Sequence, residues 1–515
     1  MRLITIWALV AGVLVLAPAA TASPIVATAP VEASATNPVA GCPPDTAGIN
    51  FPGSEVEPWL EVNPVDADNV VTYYQQDRYS NGGSKADVAA VSMDGGLTFT
   101  RTVPPQLARC SPGGGPYERA TDPWISFGPD GALHAMTLSI DPDPPTGGFG
   151  ANAMVYNRST TGGLTWEAPI VLREDTDPSF LNDKNSITAD PNDPDFVYAV
   201  WDRLQEPARA QHAQENPIGL GFKGPIWFTR TTNGGDSWEP ARKIYETGAN
   251  KQTIGNQIVV RPQGELFDFF GDIVNRSRRR GGIGPILVSF IVSTDQGATW
   301  SQPRAIDDQL PMSLFRADST IDTEPFPCPD PSKTGRCPIR SGDFIPEVAV
   351  DASNGNLYAV WMDARFSGFR WDSIAYSQST DGGASWSAPI QVNLTPGGSV
   401  QNSQAFTPSV DVRADGTLAV TYYDFRENTA DPATLLTRHY AVHCHAASEN
   451  CANRASWDEE TTIGPVFNIR EAPFAGGYFL GDYMGLANDD NDYLSGFGST
   501  LGGGPSSIFV SRLTP

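Results

Sequence analysis

The sequence predicts an all-β fold, a β-propeller of four-stranded antiparallel blades, and three observations predict it. The first is one short motif in five copies: Ser92-Met-Asp-Gly-Gly-Leu-Thr-Phe99, Ser159-Thr-Thr-Gly-Gly-Leu-Thr-Trp166, Thr231-Thr-Asn-Gly-Gly-Asp-Ser-Trp238, Ser293-Thr-Asp-Gln-Gly-Ala-Thr-Trp300 and Ser379-Thr-Asp-Gly-Gly-Ala-Ser-Trp386. Their closing aromatics lie 67, 72, 62 and 86 residues apart, and a worn sixth copy, Arg454-Ala-Ser-Trp457, follows 71 residues later. A repeat at this period signals stacked modules. The second observation is the unit around each motif, which holds four short strand signals separated by turns. The third is the recurrence of that unit near Glu57, Asp122, Lys184, Gly255, Ile345 and Thr407, with a partial seventh from Gly481-Asp-Tyr483 to Ile508-Phe-Val510. Radial repetition of four-stranded sheets makes a propeller. The count favours seven blades; six is the alternative, if the last unit completes the first blade. A ring must close, so a terminal strand is expected to pair with the other end of the chain.

The fifth unit shows the elements in order. Ile345-Pro346-Glu347 leads into a strand, Val348–Val350, and Asp351 to Gly355 turn the chain. Leu357–Trp361 forms the second strand, an Asp-x-Arg loop follows, and Ser373–Ser377 forms the third. The motif is the next turn, and Trp386–Ile390 begins the fourth strand. Within the motif, Asp or Asn caps backbone N–H groups as in an Asx-turn. The glycines supply positive φ. The aromatic is expected to pack beneath the next sheet. Thr161 replaces the acid in the second copy, so the carboxylate is not essential, and these motifs read as structural staples.

Arg2, an apolar run from Leu3 to Leu16 and Ala20-Thr21-Ala22 compose a secretory signal over residues 1–22. Residues 23–47 read as a flexible leader and 48–515 as one propeller domain. No later segment has the length and apolarity of a membrane span. The expected product is a secreted, extracellular, monomeric protein. Six cysteines fit an oxidising compartment. By proximity Cys328 pairs with Cys337 and Cys444 with Cys451, leaving Cys42 and Cys110 to tie the leader to the first module. With five histidines and no Cys-x-x-Cys, no zinc site or other cofactor is expected. The net charge of −25 argues against nucleic acid and against anionic lipid. A basic island, Arg276-Ser-Arg278-Arg279-Arg280, breaks the trend.

Within each unit the motif turn and the strand one-to-two turn share one face. The strand two-to-three loop and the lead-in to the first strand share the other. The long segments Asp141–Asn152, Asp202–Gly224, Asp272–Pro285 and Cys328–Cys337 belong to that second face, where function is expected to concentrate.

Repeated Ser-x-Asp-x-Gly-x-Thr-Trp motifs in a secreted propeller resemble the sialidase (neuraminidase) superfamily, whose repeats are called Asp boxes. The resemblance covers the chain from about residue 48 to its end. It implies a glycoside hydrolase acting on terminal sugars of extracellular glycans, with carbohydrate as its partner. Sialidases carry an aromatic-Arg-Ile-Pro at the lead-in to the first blade, and that Arg helps clamp the substrate carboxylate. Here the corresponding residues are Val56-Glu57-Pro58-Trp59, an acid in place of the Arg. The alternatives are a non-catalytic propeller that binds glycan or protein, and a polysaccharide lyase.

Two residue sets on the long-loop face are candidates for chemistry. An Asp-Arg pattern follows the second strand at Asp77-Arg78, Asp202-Arg203, Asp363-Ala-Arg365 and Asp424-Phe-Arg426. Arg recognises carboxylates and sugar hydroxyls in a planar, two-pronged way. Four copies favour blade bridging for most of them, with Arg203, Arg365 and Arg426 kept as substrate contacts. The second set is the lead-in column, Glu57, Asp122, Lys184, Gly255, Ile345, Thr407 and Asp482, with Trp59, Trp124, Ser186, Gln257, Glu347 and Ser409 two residues on. Repeats should look alike, and these positions do not. Glycoside hydrolysis needs a carboxylic acid with a raised pKa and a second carboxylate, so Asp122, Glu347 and Asp482 are the catalytic candidates. Tyr483 joins them as a nucleophile of the sialidase type. Glu57, Trp124 and Lys184 are the candidates for substrate contact. No EF-hand spacing supports calcium.

Overall fold

The computed structural model describes residues 25–206, 223–275, 283–312 and 338–514, apart from positions 432, 458 and 503. The basic island and the Cys328–Cys337 pair lie outside the described residues. Strand makes up 51% and helix 3%, which places the chain in the all-β class. Among the described residues seven runs of antiparallel strands follow one another, the first two joined through Ser84 and Ala120 into one eight-stranded sheet, beside a separate parallel pair, Ile339–Arg340 with Tyr478–Phe479. The opening strands of the seven runs are Glu55–Asn63, Arg119–Phe127, Phe180–Ala189, Lys251–Val260, Glu347–Val350, Ala405–Val412 and Gly485–Asn488. Each opening strand pairs antiparallel with the next strand of its group, and the later strands continue outward in sequence order. In the fifth group the strands are Glu347–Val350, Leu357–Asp363, Ser373–Ser379 and Ile390–Gln391. The outermost is only two residues long.

Each opening strand packs on the opening strand of the following group, and the seventh packs back on the first. One axial cavity of about 280 Å³ is lined by residues of all seven. Side chains stitch the inner strands together: the Ser186 hydroxyl donates to Asn256 O at 2.8 Å and Thr188 to Ile258 O at 2.8 Å.

The segment expected to be a flexible leader is docked over its described part. Val26–Ala27 and Val31–Glu32 pair antiparallel with the last strand, Ser507–Thr514, as the outer edge of the seventh group. Ile25 and Ala33 are buried, and the Ser34 hydroxyl donates to Glu55. The Ala-Pro-Val-Thr composition reads as unstructured by itself; its order comes from pairing with strand residues nearly five hundred positions away. Disulfides join Cys42 to Cys110 and Cys444 to Cys451. A chain beginning at Ala35 should melt at a lower temperature and self-associate with rising concentration, because it bares the edge of Ser507–Thr514. Thermal melts and sedimentation check this; an unchanged monomer would show that the segment adds nothing to closure.

The motifs act as caps. Asp94 accepts from the Leu97 and Thr98 amides at 3.1 and 2.8 Å and from the Thr98 hydroxyl at 2.6 Å. Thr161 does part of the same work, accepting from the Thr165 amide at 2.9 Å. The second glycine of each motif serves two needs. It has positive φ, and it abuts the preceding sheet: a Cβ on Gly235, Gly297 or Gly383 would meet Tyr156, Phe228 or Phe267 within 2.7 Å. The closing aromatics follow the same direction. Trp238 packs on Tyr156, Trp300 on Phe228, Trp386 on Phe269 and Trp457 on Tyr376. The aromatic thus packs on the preceding sheet rather than the next, because the turn folds back over its predecessor's middle strands.

Hydrogen bonds from Thr or Ser hold Asp94, Asp295 and Asp381 down at about 2. A carboxylate with a depressed pKa contributes stability above its unfolded value of about 4 that is lost as pH falls through about 2. The combined Asp94→Ala, Asp295→Ala and Asp381→Ala variant should therefore melt lower than the parent at neutral pH, with the gap narrowing by pH about 2. An equal gap at both would assign the effect to lost packing rather than to the charged caps.

Candidate functional site

The lead-in column sits on a recurring backbone irregularity. The ladder register shifts between Val56 and Trp59, Thr121 and Trp124, Asp183 and Ser186, Ile254 and Gln257, and Phe406 and Ser409. Each shift is a bulge whose first residue is left-handed: Glu57 (φ 54°), Asp122 (54°), Lys184 (46°), Gly255 (67°) and Thr407 (48°). Pro58, Pro123 and Pro408 come next, where a missing N–H costs no ladder bond. Gly255 adopts this conformation without strain, but Glu, Asp and Lys do so only when surrounding contacts hold them. The bulges turn these charged side chains together.

Lys184 is the hub. Its Nζ lies 3.2 Å from Glu57 Oε1, 3.3 Å from Asp122 Oδ1 and 2.8 Å from Asp482 Oδ2. All four residues are at most 7% exposed. The Lys184 amide donates to Asp122 Oδ2 at 3.2 Å. Arg340 grips Asp482 with two nitrogens, Nε at 3.0 Å and Nη2, and keeps a partly exposed guanidinium. Gln75 donates to Glu57, and Arg78 donates to Gln75 at 2.6 Å and to Thr121 at 3.3 Å. Phe479 supports both guanidinium groups, at 4.5 Å from Arg340 and 5.2 Å from Arg78.

The shared ammonium splits the carboxylates. Burial pushes Glu57 up, and Asp122 and Asp482 add to this against Lys184, so that it rests at about 7. Burial also opposes ionisation of Asp122, but Lys184 and Arg78 outweigh it and hold Asp122 below the usual range. Asp482 is held far lower, since Arg340 and Lys184 together overcome its burial. Burial would lower Lys184, yet Asp122, Asp482 and Glu57 hold it well above its ordinary value. Asp183 is raised to about 7, by burial first and then by Asp122.

Below the hub lies an aromatic layer. Trp59 stacks on Trp124 at 3.6 Å between centroids, and Tyr483 tilts against Trp124 at 5.1 Å. The Tyr483 hydroxyl donates to Pro123 O at 3.0 Å. Burial, then Glu57 and Asp122, push that phenol well up, so it stays protonated. A small cavity of about 10 Å³ lies between Lys184, Tyr483, Asn185, Asn256 and Gln257, room for one water. Asn185 Oδ1 and both amide atoms of Asn256 are buried there with no hydrogen-bond partner among the described residues.

The structure therefore brings Glu57, Asp122, Lys184 and Asp482 together, with Trp124 and Tyr483 against them. It does not bring Glu347 to the hub. Glu347 is buried in the layer below; burial pushes it well up, with only Gln257 opposing. Arg203 is paired with Asp175 at 2.6 Å, Arg365 with Asp363 and Asp307 at 2.9 Å, and Arg426 with Asp424 at 2.6 Å and with Glu460. The Arg203 and Arg365 pairs link sheets at the periphery, since Asp175 and Asp307 belong to the outer strands of the preceding groups, whereas Arg426 is held within its own group, whose outer strand carries Glu460. Arg78, Arg340, Gln75 and Asp183 are the hub residues that sequence reasoning missed. Arg78 was hidden among four similar Asp-Arg pairs, although in its unit Asp77 pairs with Lys85 at 2.9 Å instead. Arg340 lies between units, outside the repeat register. Glycine at Gly255, aligned with Glu57, Asp122 and Lys184, was the available signal that the column is left-handed.

No protein-family model matches the chain, and no curated protein matches it. Similar solved structures include glycoside hydrolases. A Hadza microbial sialidase is 13% identical over 72% of this chain and 64% of that one, with a TM-score of 0.43. An α-L-arabinofuranosidase of Fusarium graminearum, in complex with arabinobiose, is 14% identical over 77% and 93%, with a TM-score of 0.41. A protein of unknown function from Dyadobacter fermentans is 12% identical over 91% and 97%, with a TM-score of 0.44. These likenesses are distant, and the roles of the hub residues rest on their own geometry.

Proposed function

We propose that the chain is a secreted, sialidase-like glycoside hydrolase on a seven-bladed propeller, cleaving terminal sugars from extracellular glycans. The observation that carries this reading is the Glu57–Asp122 pair on Lys184, one carboxyl at about 7 and the other held low. Neighbouring titratable groups pushed apart in pKa mark an acid and its ionised partner. Glu57 is the general acid and Asp122 the nucleophile. Their oxygens share one nitrogen within 3.3 Å, so they are no farther apart than about 6.5 Å. That is closer to the roughly 5–5.5 Å of retaining enzymes than to the middle of the roughly 6.5–9.5 Å inverting range. Arg78, Arg340 and Lys184 face two ionised carboxylates, Asp122 and Asp482. With Glu57 and Asp183 protonated below about pH 7, the hub is net cationic in mildly acid solution and suited there to an acidic terminal sugar.

The test is hydrolysis of a panel of aryl glycosides that includes an α-sialoside and a uronide. Turnover with retained configuration supports the reading. A second reading is favoured by the burial of the hub: a self-neutralised ionic plug in a non-catalytic glycan-binding propeller. No turnover on any panel member, with glycan retained on an array, would establish that one instead.

A further inference from the structure

The axial cavity continues past the aromatic layer, away from the hub. Trp59 and Trp124 line its inner end, and farther along the opening strands Glu61, Asp411, Ser126 and Asn488 line its walls. Its volume of about 280 Å³ is at the small end of ligand pockets, which run from roughly 300 Å³. Two carboxyl groups face it, and none of its lining residues is Lys, Arg or His. Both are half-buried, and carboxylates withdrawn from bulk water are favoured by a nearby cation. Among the described residues Glu61 accepts a hydrogen bond from the Trp59 indole N–H, at 3.2 Å, and from no other. Asp411 has the Asn488 amide at 2.6 Å and the Val412 N–H at 2.8 Å. Gln257, 5% exposed, also lines the cavity.

We propose that this channel binds an organic ammonium ion, its charge between Glu61 and Asp411 and its hydrocarbon part against Trp59 and Trp124. The walls decide between kinds of cation. A hard divalent ion wants about six to eight oxygen ligands, and among the described residues no group of three or more His, Cys, Asp or Glu is set to hold a metal. Indole rings beside two carboxylates suit an alkylammonium, the carboxylates taking its N–H groups in charge-assisted hydrogen bonds and the indoles its hydrocarbon part.

Without a bound cation both acids hold protons below about pH 7. Burial raises Glu61 to about 8, with Asp411 adding to it and the Trp59 hydrogen bond opposing. Burial raises Asp411 to about 7, with Asn488 and the Val412 amide opposing and Asp490 adding. A cation favours the ionised forms, so binding releases protons, and affinity rises with pH through about 7 to 8.

Calorimetric titration with 1,4-diaminobutane and with n-butylamine, each in buffers of different ionisation enthalpy, tests this. The expected results are a Kd below about 1 mM and proton release near pH 7 that fades by pH about 9. Glu61→Gln and Asp411→Asn should each weaken binding about tenfold or more while near-UV circular dichroism is retained. If one variant does not fold, the other decides together with proton release in the parent protein. Absence of binding, affinity indifferent to both substitutions, or calcium binding that neither amine displaces would overturn the proposal. The outcome is independent of glycoside turnover, since neither carboxyl belongs to the hub.

Discussion

Replacing Lys184 by Met is expected to destabilise the protein by about 3–5 kcal/mol, the cost of removing one partner from a buried charge cluster. Glu57, Asp122 and Asp482 share that ammonium within 3.3 Å and have almost no contact with water. Among the described residues only Asp482 has a second cation in contact, Arg340. The sign of the pH effect follows from the carboxylates. In the parent, Asp122 and Asp482 are depressed, so they contribute stability above their unfolded value of about 4 that is lost as pH falls. In the variant the same burial, unopposed by Lys184, raises Asp122, so its folded form holds protons that the unfolded chain releases above about pH 4. The deficit in urea midpoint should therefore be largest near pH 8 and shrink towards pH 4. Adding Glu57→Gln to Lys184→Met should recover part of it at pH 8, because one of the stranded acids is gone. A Lys184→Met protein within about 0.5 kcal/mol of the parent at pH 8 would mean that the cluster is hydrated and contributes nothing to ring closure.

The same cluster shows what the sequence could reveal of the site. The repeat motifs announced stacked four-stranded sheets because each motif's capping hydrogen bonds and glycines are local, and local chemistry is written locally. The lead-in column announced a site because Glu57, Asp122 and Lys184 differ where repeats should agree. The convergence itself was not legible. It depends on bulges that hold three non-glycine residues left-handed, and on Arg340, which no repeat position predicts. Arg203, Arg365 and Arg426 looked like substrate contacts as readily as Arg78 did. Only the packing separates them, by placing Asp175, Asp307 or Glu460 within reach of each peripheral guanidinium and Gln75 beside Arg78. Order in residues 25–34 was equally invisible, since their partner strand is the other end of the chain.

Glu57→Gln and Asp122→Asn should each lower kcat by about 10²–10⁴-fold on a glycoside with a poor leaving group, and they should differ in how they do so. As general acid, Glu57 must be protonated, which holds below about 7. Asp122 must be ionised, which holds above its depressed value. The parent profile of kcat/KM should thus be flat through mildly acidic pH and fall through about pH 7. Glu57→Gln abolishes that fall, because an amide does not titrate. It should also spare a glycoside whose leaving group needs no proton, such as a 2,4-dinitrophenyl derivative, since only protonation of the departing oxygen is lost. Asp122→Asn has no such escape: attack at the sugar carbon is lost with every leaving group, and azide should restore turnover with inverted configuration. A merely structural role for either residue would lower activity on good and poor leaving groups alike and leave the basic fall in place. If both variants behave in that way while the parent hydrolyses glycosides, the acid and nucleophile lie elsewhere on the ring. The Glu57–Asp122–Lys184 cluster is then the clasp that holds the first three sheets to the seventh.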